Sequence, residues 1–328
     1  MSRLVTIYGG SGFVGRYIAR RMAQEGWRVR VAVRRPNEAI FVRPYGVVGQ
    51  VEPVFCNIRD DASVESVMKG ADAVVNCVGI LNEVGANRFG PVQAEGAERV
   101  ARIAAAQGIA RMVQISAIGA DAKSDSAYAR TKAQGEQAVL THMPRAVILR
   151  PSIVFGPEDG FFNRFAGMAK ISPALPVVGA TSRFQPVYVD DVAQAAVKAV
   201  LGEAAPGIYE LGGPEIEDFR TLMRRLLAEI GRRRVLVPVP FPLAAVMAGA
   251  LTVLEKLTLG LFTNTLLTRD QVRQLRRDNV VSDGARGLEA LGITPTPMSA
   301  ILPEYLWGYR PGGQYAAIRA SASNLRKD

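Results

Sequence analysis

The chain reads as an α/β protein: a doubly wound parallel sheet, a smaller C-terminal α/β region and an extended tail. Three observations predict this. Apolar runs alternate with amphipathic stretches over the first 150 residues, as repeated βα units do. A glycine-spaced turn follows the first apolar run directly. Beyond Arg150 the regularity breaks, and Pro151, Gly156, Pro157, Pro173 and Pro176 crowd the chain. Expected strands are Leu4–Tyr8, Arg28–Val33, Val51–Phe55, Ala73–Cys77, Arg111–Ile115 and Arg145–Leu149, with a later one at Ile208–Leu211. Helices are expected to begin near Phe13, Ala62, Phe89 and Ser126, with two more over Asp191–Leu201 and Asp218–Ile230. Strand followed by helix, several times over, implies parallel strands covered on both faces. The expected division is a dinucleotide-binding unit over 1–150, a smaller unit over 151–310 that partly returns to the sheet, and a tail over 311–328.

With 328 residues, 48% of them hydrophobic and 21% charged, the chain has the composition of a folded protein. Cys56 and Cys77 cannot form a disulfide framework; both read as buried strand thiols and point to a reducing compartment. One histidine, His142, argues against a His-rich metal centre or a Ser-His-Asp triad. Met1-Ser2-Arg3 runs straight into a strand, so no signal peptide is expected. The net charge of +10 is concentrated in two places. Residues 1–45 hold nine arginines against Glu25 and Glu38, and Arg220, Arg224, Arg225, Arg232, Arg233 and Arg234 face Glu229 alone within 220–234. No nucleic-acid-binding signature accompanies this charge. A phosphate-bearing cofactor, an anionic partner surface or solvated basic faces explain it better.

The strongest local signal is Tyr8-Gly9-Gly10-Ser11-Gly12-Phe13-Val14-Gly15. Gly9 permits a tight turn, Gly12 lets a pyrophosphate approach bare backbone, and Gly15 allows close helix–strand packing. The helix that follows presents free N–H groups and its positive dipole end. At the end of the second strand, where an NAD site carries an acid for the ribose 2′-hydroxyl, this chain has Arg34 and Arg35. Guanidinium suits a phosphate dianion, so NADPH is expected over NADH. Farther on, Tyr128 and Lys132 stand one helical turn apart. An ammonium beside the phenol would lower its pKa from about 10 and let it exchange a proton near neutrality.

These segments, with Arg150-Pro151-Ser152-Ile153-Val154-Phe155-Gly156-Pro157 and Pro186-Val187-Tyr188-Val189-Asp190-Asp191-Val192-Ala193, resemble the atypical extended short-chain dehydrogenase/reductases over about residues 4–215. The resemblance implies a Rossmann-type sheet holding the dinucleotide at Gly9, Ser11, Gly12, Phe13, Val14, Gly15, Arg34 and Arg35. It places Ile58 and Asp60 beside the adenine, and Cys77, Val78, Gly79 and Ile115 along the cofactor. Tyr128 and Lys132 would lie at the nicotinamide ribose, with Pro151 and Ile153 near the nicotinamide. Active members carry a Ser/Thr run after the fifth strand whose last hydroxyl polarises the substrate carbonyl. Here Ser116 starts the run and Ile118 takes the last position, so Ser116, Tyr128 and Lys132 read as vestiges of a catalytic set. One missing donor of that kind costs about 10²–10³ in rate. The loop from Ile118 to Tyr128 is also short for walling off a substrate.

Four later segments narrow the resemblance: Leu266–Val272, Arg276–Val281, Gly287–Ile293 and Pro303–Trp307. With Phe155–Phe165 they are similar to the NADPH-binding accessory subunits of respiratory complex I, the bacterial form most of all. That implies a non-catalytic subunit, bound to other subunits of the complex where the peripheral and membrane arms meet, peripheral on the cytoplasmic face of the bacterial inner membrane. A free-standing NADP-dependent reductase or epimerase, acting on a quinone precursor or a nucleotide sugar, is the alternative, and a redox-sensing binder a third.

Between Arg234 and Glu255 the chain has twenty uncharged residues. Pro238, Pro240 and Pro242 interrupt them, and extending a helix to Phe262 would bury Glu255 and Lys256, so this segment is not expected to span a membrane. It reads either as a core helix of the smaller unit or as an apolar element against lipid or a membrane-bound partner. The arginines upstream favour contact with anionic lipid through 220–262. The tail from Pro311 has no apolar period and reads as an arm ordered by a partner.

Overall fold

The computed structural model describes residues 2–257 and 267–315. In chain order its strands are β1 Leu4–Tyr8, β2 Arg28–Val33, β3 Val51–Phe55, β4 Ala73–Asn76, β5 Arg111–Ile115, β6 Val147–Pro151, β7 Val154–Phe155, β8 Ala174–Val178, β9 Arg183–Phe184, β10 Val187–Tyr188, β11 Gly207–Leu211, β12 Glu217–Asp218 and β13 Val235–Val239. Its helices are α1 Phe13–Gln24, α2 Asp61–Met68, α3 Glu95–Ala106, α4 Ala127–His142, α5 Phe162–Ile171, α6 Val189–Leu201, α7 Phe219–Glu229, α8 Phe241–Leu257, α9 Arg269–Gln274 and α10 Met298–Leu306.

Seven strands form one parallel sheet in the order β11-β6-β5-β4-β1-β2-β3. Strand order reverses between β1 and β4, which opens a crevice at their carboxyl ends. The strands are near-continuous Val/Ile runs because both faces are covered. Ile18 and Met22 of α1 and Val192, Ala196 and Val200 of α6 fill one face; Val64 and Met68 of α2, Val100 of α3 and Val139 of α4 fill the other. Capping sets several helix starts: Asp60 accepts from Ser63 N at the head of α2, Ser126 from Ala129 N at α4, and Asp218 from Thr221 N at α7.

The Rossmann-type class is as expected, and most main-sheet strands fall where the alternation places them. The sixth lies two residues later than the expected Arg145–Leu149, because Val147–Pro151 is the stretch that pairs with β11. The helix expected near Phe89 opens with a π turn over Gly90–Ala94 before α3 proper. A 3-10 turn over Pro36–Tyr45 and the short pairings β7–β10, β9–β12 and β8–β13 carry no periodic signal and were not foreseen. Cys56 and Cys77 each fall just past a strand end; Cys56 is buried and Cys77 half-buried.

A third core lies beyond the sheet. Phe161 stacks at 5.1 to 5.6 Å from Phe162, Phe165 and Phe219, over Leu222, Leu226, Leu302 and Leu306. A fourth, smaller one joins Val178, Ala244, Ala248 and Val272. Helix α8 therefore answers both readings of its segment: Ala244 and Ala248 are core, whereas Leu243, Val246, Met247 and Val253 face outward. No helix among the described residues is long and apolar enough to cross a membrane. A 3-10 turn at Gly313–Tyr315 begins the tail, and the arm expected over the remainder lies outside the described residues.

One buried charge network ties the two halves together. Arg150 on β6 donates to Glu136 of α4 at 2.9 and 2.6 Å and to Glu210 of β11 at 3.3 Å. Ser116 also donates to Glu136, and Ser282 N to Glu210 at 2.8 Å. Removing one member strands the others in a poorly solvated place. Arg150→Met is therefore expected to lower unfolding free energy by about 3–5 kcal/mol, read as a reduced urea midpoint at unchanged slope.

Candidate functional site

The glycine corner is built by close approach. Gly9 has φ +73°, a left-handed turn that brings the chain off β1. A Cβ on Gly15 would sit 2.4 Å from the Gly9 carbonyl oxygen and 2.7 Å from Gly10 Cα, so only glycine lets α1 lie this close to the strand end. Gly12 is the N-cap of α1 and offers no side-chain cap, and no acidic residue stands in the first turn. Free N–H groups and an unopposed dipole end are what a pyrophosphate requires, so these residues fit a dinucleotide. Phe13 lies against Gly156 and Val189, and Val14 packs into the first core.

The crevice wall beside the corner is the end of β4. Cys77 N donates to Tyr8 O at 2.9 Å, and Val78 N to Asn76 Oδ1 at 3.1 Å. A Cβ on Gly9 would meet Val78 and Cys77, and one on Gly79 would lie 3.2 Å from Lys132 Nζ. Lys132 donates to Ile115 O at 3.3 Å and sits 5.9 Å from the Tyr128 ring centroid. The structure thus brings Gly9–Gly15, Cys77–Gly79, Ile115, Tyr128 and Lys132 to one crevice. Arg34 and Arg35 stand exposed at its outer rim, Arg35 paired with Glu38 at 3.0 Å. Ile58 is buried against Gly96, and the Asp60 carboxylate caps α2 at Ser63 N, 3.0 Å away. On the far side, Ile118 N donates to Pro151 O at 3.0 Å.

The expected lowering of the Tyr128 pKa is corrected by the structure. Burial pushes the phenol up, to about 12, and burial also pushes Lys132 down, to about 8, against the pull of Glu136 and Cys77. Desolvation outweighs the ammonium because Lys132 itself resists carrying charge there. Burial likewise pushes the Cys77 thiol up, to about 12. The Ser116 hydroxyl donates to Glu136.

Sequence patterns give no sign of a strap, formed by residues 270–279, that ties the head of α4 to the end of β6. Asp270, in the first turn of α9, accepts from Ser126 Oγ at 2.8 Å and Ala127 N at 2.7 Å, which anchors the head of the helix bearing Tyr128. Gln271 donates to Asn82 at 3.2 Å, and Arg277 to Asp121 at 3.2 Å. Asn279 Oδ1 accepts from Ser152 Oγ at 2.7 Å and Ile153 N at 3.1 Å. The short loop before Tyr128 is thus walled by residues about 150 positions away. Arg16 was also missed: it donates to Ser11 O at 3.1 Å and Gly12 O at 3.3 Å and lies 4.7 Å over Phe41. Its place four residues after the loop's Gly12 was the available signal.

The Lys132 shift sets a pH dependence. Between pH 8 and about 10 the unfolded chain keeps a proton on this lysine that the folded chain has released, so stability rises with pH across that window. Urea midpoints of the wild type minus those of Lys132→Met are expected to climb from pH 8 to 10; a flat difference would contradict the buried amine.

Residues 5–212 match the model of the NAD dependent epimerase/dehydratase family. The chain is 34% identical over 316 residues to the mitochondrial NADH dehydrogenase (ubiquinone) 1 alpha subcomplex subunit 9 of Arabidopsis thaliana, covering 94% of this chain and 79% of that one. It is 33% identical over 250 residues to a ceramide reductase of Caulobacter vibrioides, covering 76% and 77% of the two chains. The crystal structure of gox2253 superposes with a TM-score of 0.69 at 21% identity, over 95% of this chain and 99% of that one. The chain belongs to the NAD dependent epimerase/dehydratase family, as an extended short-chain dehydrogenase/reductase whose likeness to complex I subunits runs through its C-terminal segments.

Proposed function

We propose that this chain is a non-catalytic, NADPH-binding accessory subunit of respiratory complex I, peripheral on the cytoplasmic face of a bacterial inner membrane, where the peripheral and membrane arms meet. The observation that carries this reading is a cofactor crevice built in full beside a reaction half that is closed. Ile118 stands where a carbonyl-polarising hydroxyl belongs, Ser116 is bound to Glu136, and Asp270 and Asn279 strap the opening. In this reading residues 1–150 hold the dinucleotide and 151–310 do the docking. A nicotinamide, when bound, is a hydride donor; the chain's own residues hold it and give no substrate a place. The α1 head takes the pyrophosphate, Arg34 and Arg35 the 2′-phosphate, and Lys132 the ribose hydroxyls, with Ile58 and Asp60 beside the adenine and Pro151 and Ile153 beside the nicotinamide. A ligand bound only to the native state stabilises by RT ln(1 + [L]/Kd), so the cofactor would lock the corner and the loops that meet there. The similarity to the Arabidopsis subunit supports the placement in complex I, and the outward apolar face of α8 suits a membrane-arm or lipid neighbour.

A carbonyl reductase is the second reading, favoured by the retained Tyr128/Lys132 pair and by the likeness to the ceramide reductase. Native membranes solubilised in mild detergent separate the two: co-migration with complex I is expected, and migration alone with turnover of a carbonyl substrate would establish the second. Cofactor choice is tested apart from placement. The purified chain is expected to bind NADPH at least tenfold more tightly than NADH, and Arg34→Asp to erase most of that preference; equal affinities in the wild type would remove the 2′-phosphate assignment.

A further inference from the structure

A second basic site lies away from the dinucleotide crevice. Arg220, Arg224, Leu227, Arg234 and Leu236 line a cleft of about 410 Å³ between α7 and the start of β13. Arg220 and Arg224 stand one turn apart on α7, and among the described residues neither has a carboxylate within ion-pair distance. Their neighbour Arg225, by contrast, is paired with Glu215 and Glu217. The one acid beside them, Asp218, is held low by Thr221 N–H and by these same arginines. Arg234 donates to two backbone carbonyls, Ala169 O at 2.8 Å and Arg233 O at 3.0 Å, which hold its guanidinium in place at the cleft. Leu227, 7% exposed, and the half-buried Leu236 give the cleft an apolar lining.

What adjoins the cleft is apolar. Beyond Arg234, Val235 and Val237 of β13 are 66% and 43% exposed. The chain then enters α8, where Leu243, Val246, Met247 and Val253 recur at helical spacing on the outward side. Residues 241–253 carry no charge. Three arginines lining one cleft and bordered by an apolar helix face fit a molecule with a phosphate at one end and hydrocarbon at the other.

We propose that this cleft is a seat for the headgroup phosphate of an anionic phospholipid, with β13 and α8 lying against the acyl region beside it. The proposal deepens the membrane-arm reading, but its test uses the isolated full chain, so its failure is distinct from failure to co-migrate with complex I.

The test is co-sedimentation with phosphatidylcholine vesicles, with and without about a third phosphatidylglycerol. Wild type is expected to bind the anionic vesicles. Arg220→Gln with Arg224→Gln should weaken that binding roughly 20-fold, at about fivefold per basic residue near a charged surface. Arg28→Gln with Arg43→Gln removes equal charge elsewhere and should change it less than twofold. Val246→Glu should weaken binding to both vesicle types. Equal loss in the two arginine pairs would show diffuse attraction and overturn the seat, as would a wild type that ignores anionic vesicles. Calorimetric binding of inorganic phosphate that depends on Arg220 and Arg224, without vesicle binding, would assign the cleft to a soluble phosphate and overturn the lipid assignment. All four substituted arginines lie at the surface outside the cores, so melting temperatures should match the wild type and confirm that folding is not the variable.

Discussion

The approach of α1 to the carboxyl end of β1 is the constraint on which the rest depends. It fixes a helix head, uncapped and free of acid, at the point where strand order reverses. A side chain at Gly15 would push that helix away through the 2.4 Å contact it creates, and α1 also packs directly against α6 on the same face of the sheet. Arg21 of α1 holds Asp190 at the start of α6 through two bonds of 2.7 Å. The corner that suits a pyrophosphate is thus also the joint that seats the returning part of the chain.

The reaction half is organised on opposite lines. In a working reductase, donors are left free to meet charge as it develops. Here Ser116 is bound to Glu136, Ile118 has no donor to offer, and the Tyr128 phenol is held as a weak acid by its surroundings. Asp270 and Asn279 hold Ser126, Ala127, Ser152 and Ile153 in structural hydrogen bonds. The same short helix that carries Asp270 contributes Val272 to the core under α8. One element therefore touches both the dyad-bearing helix and the outward apolar helix.

The excess positive charge also divides by role. Arg16 and Arg34 lie around the glycine corner, whereas Arg220, Arg224 and Arg234 line a cleft beside an apolar surface. Arg225, Arg310 and Arg150 are paired with carboxylates and serve the fold. A net charge alone could not have made that partition.

By itself the sequence determined what rests on local patterns. Val/Ile runs placed the main-sheet strands to within two residues, and the glycine spacing located the corner. Such features follow from φ/ψ limits, side-chain period and residue chemistry within a few positions. Tertiary structure alone decided the rest. It bound Asp270 to Ser126 across 144 residues, turned Ser116 toward Glu136, and split α8 into a core face and an outward one. It also reversed the expected shift at Tyr128, because desolvation depends on everything packed around a group and not on its nearest neighbour in sequence.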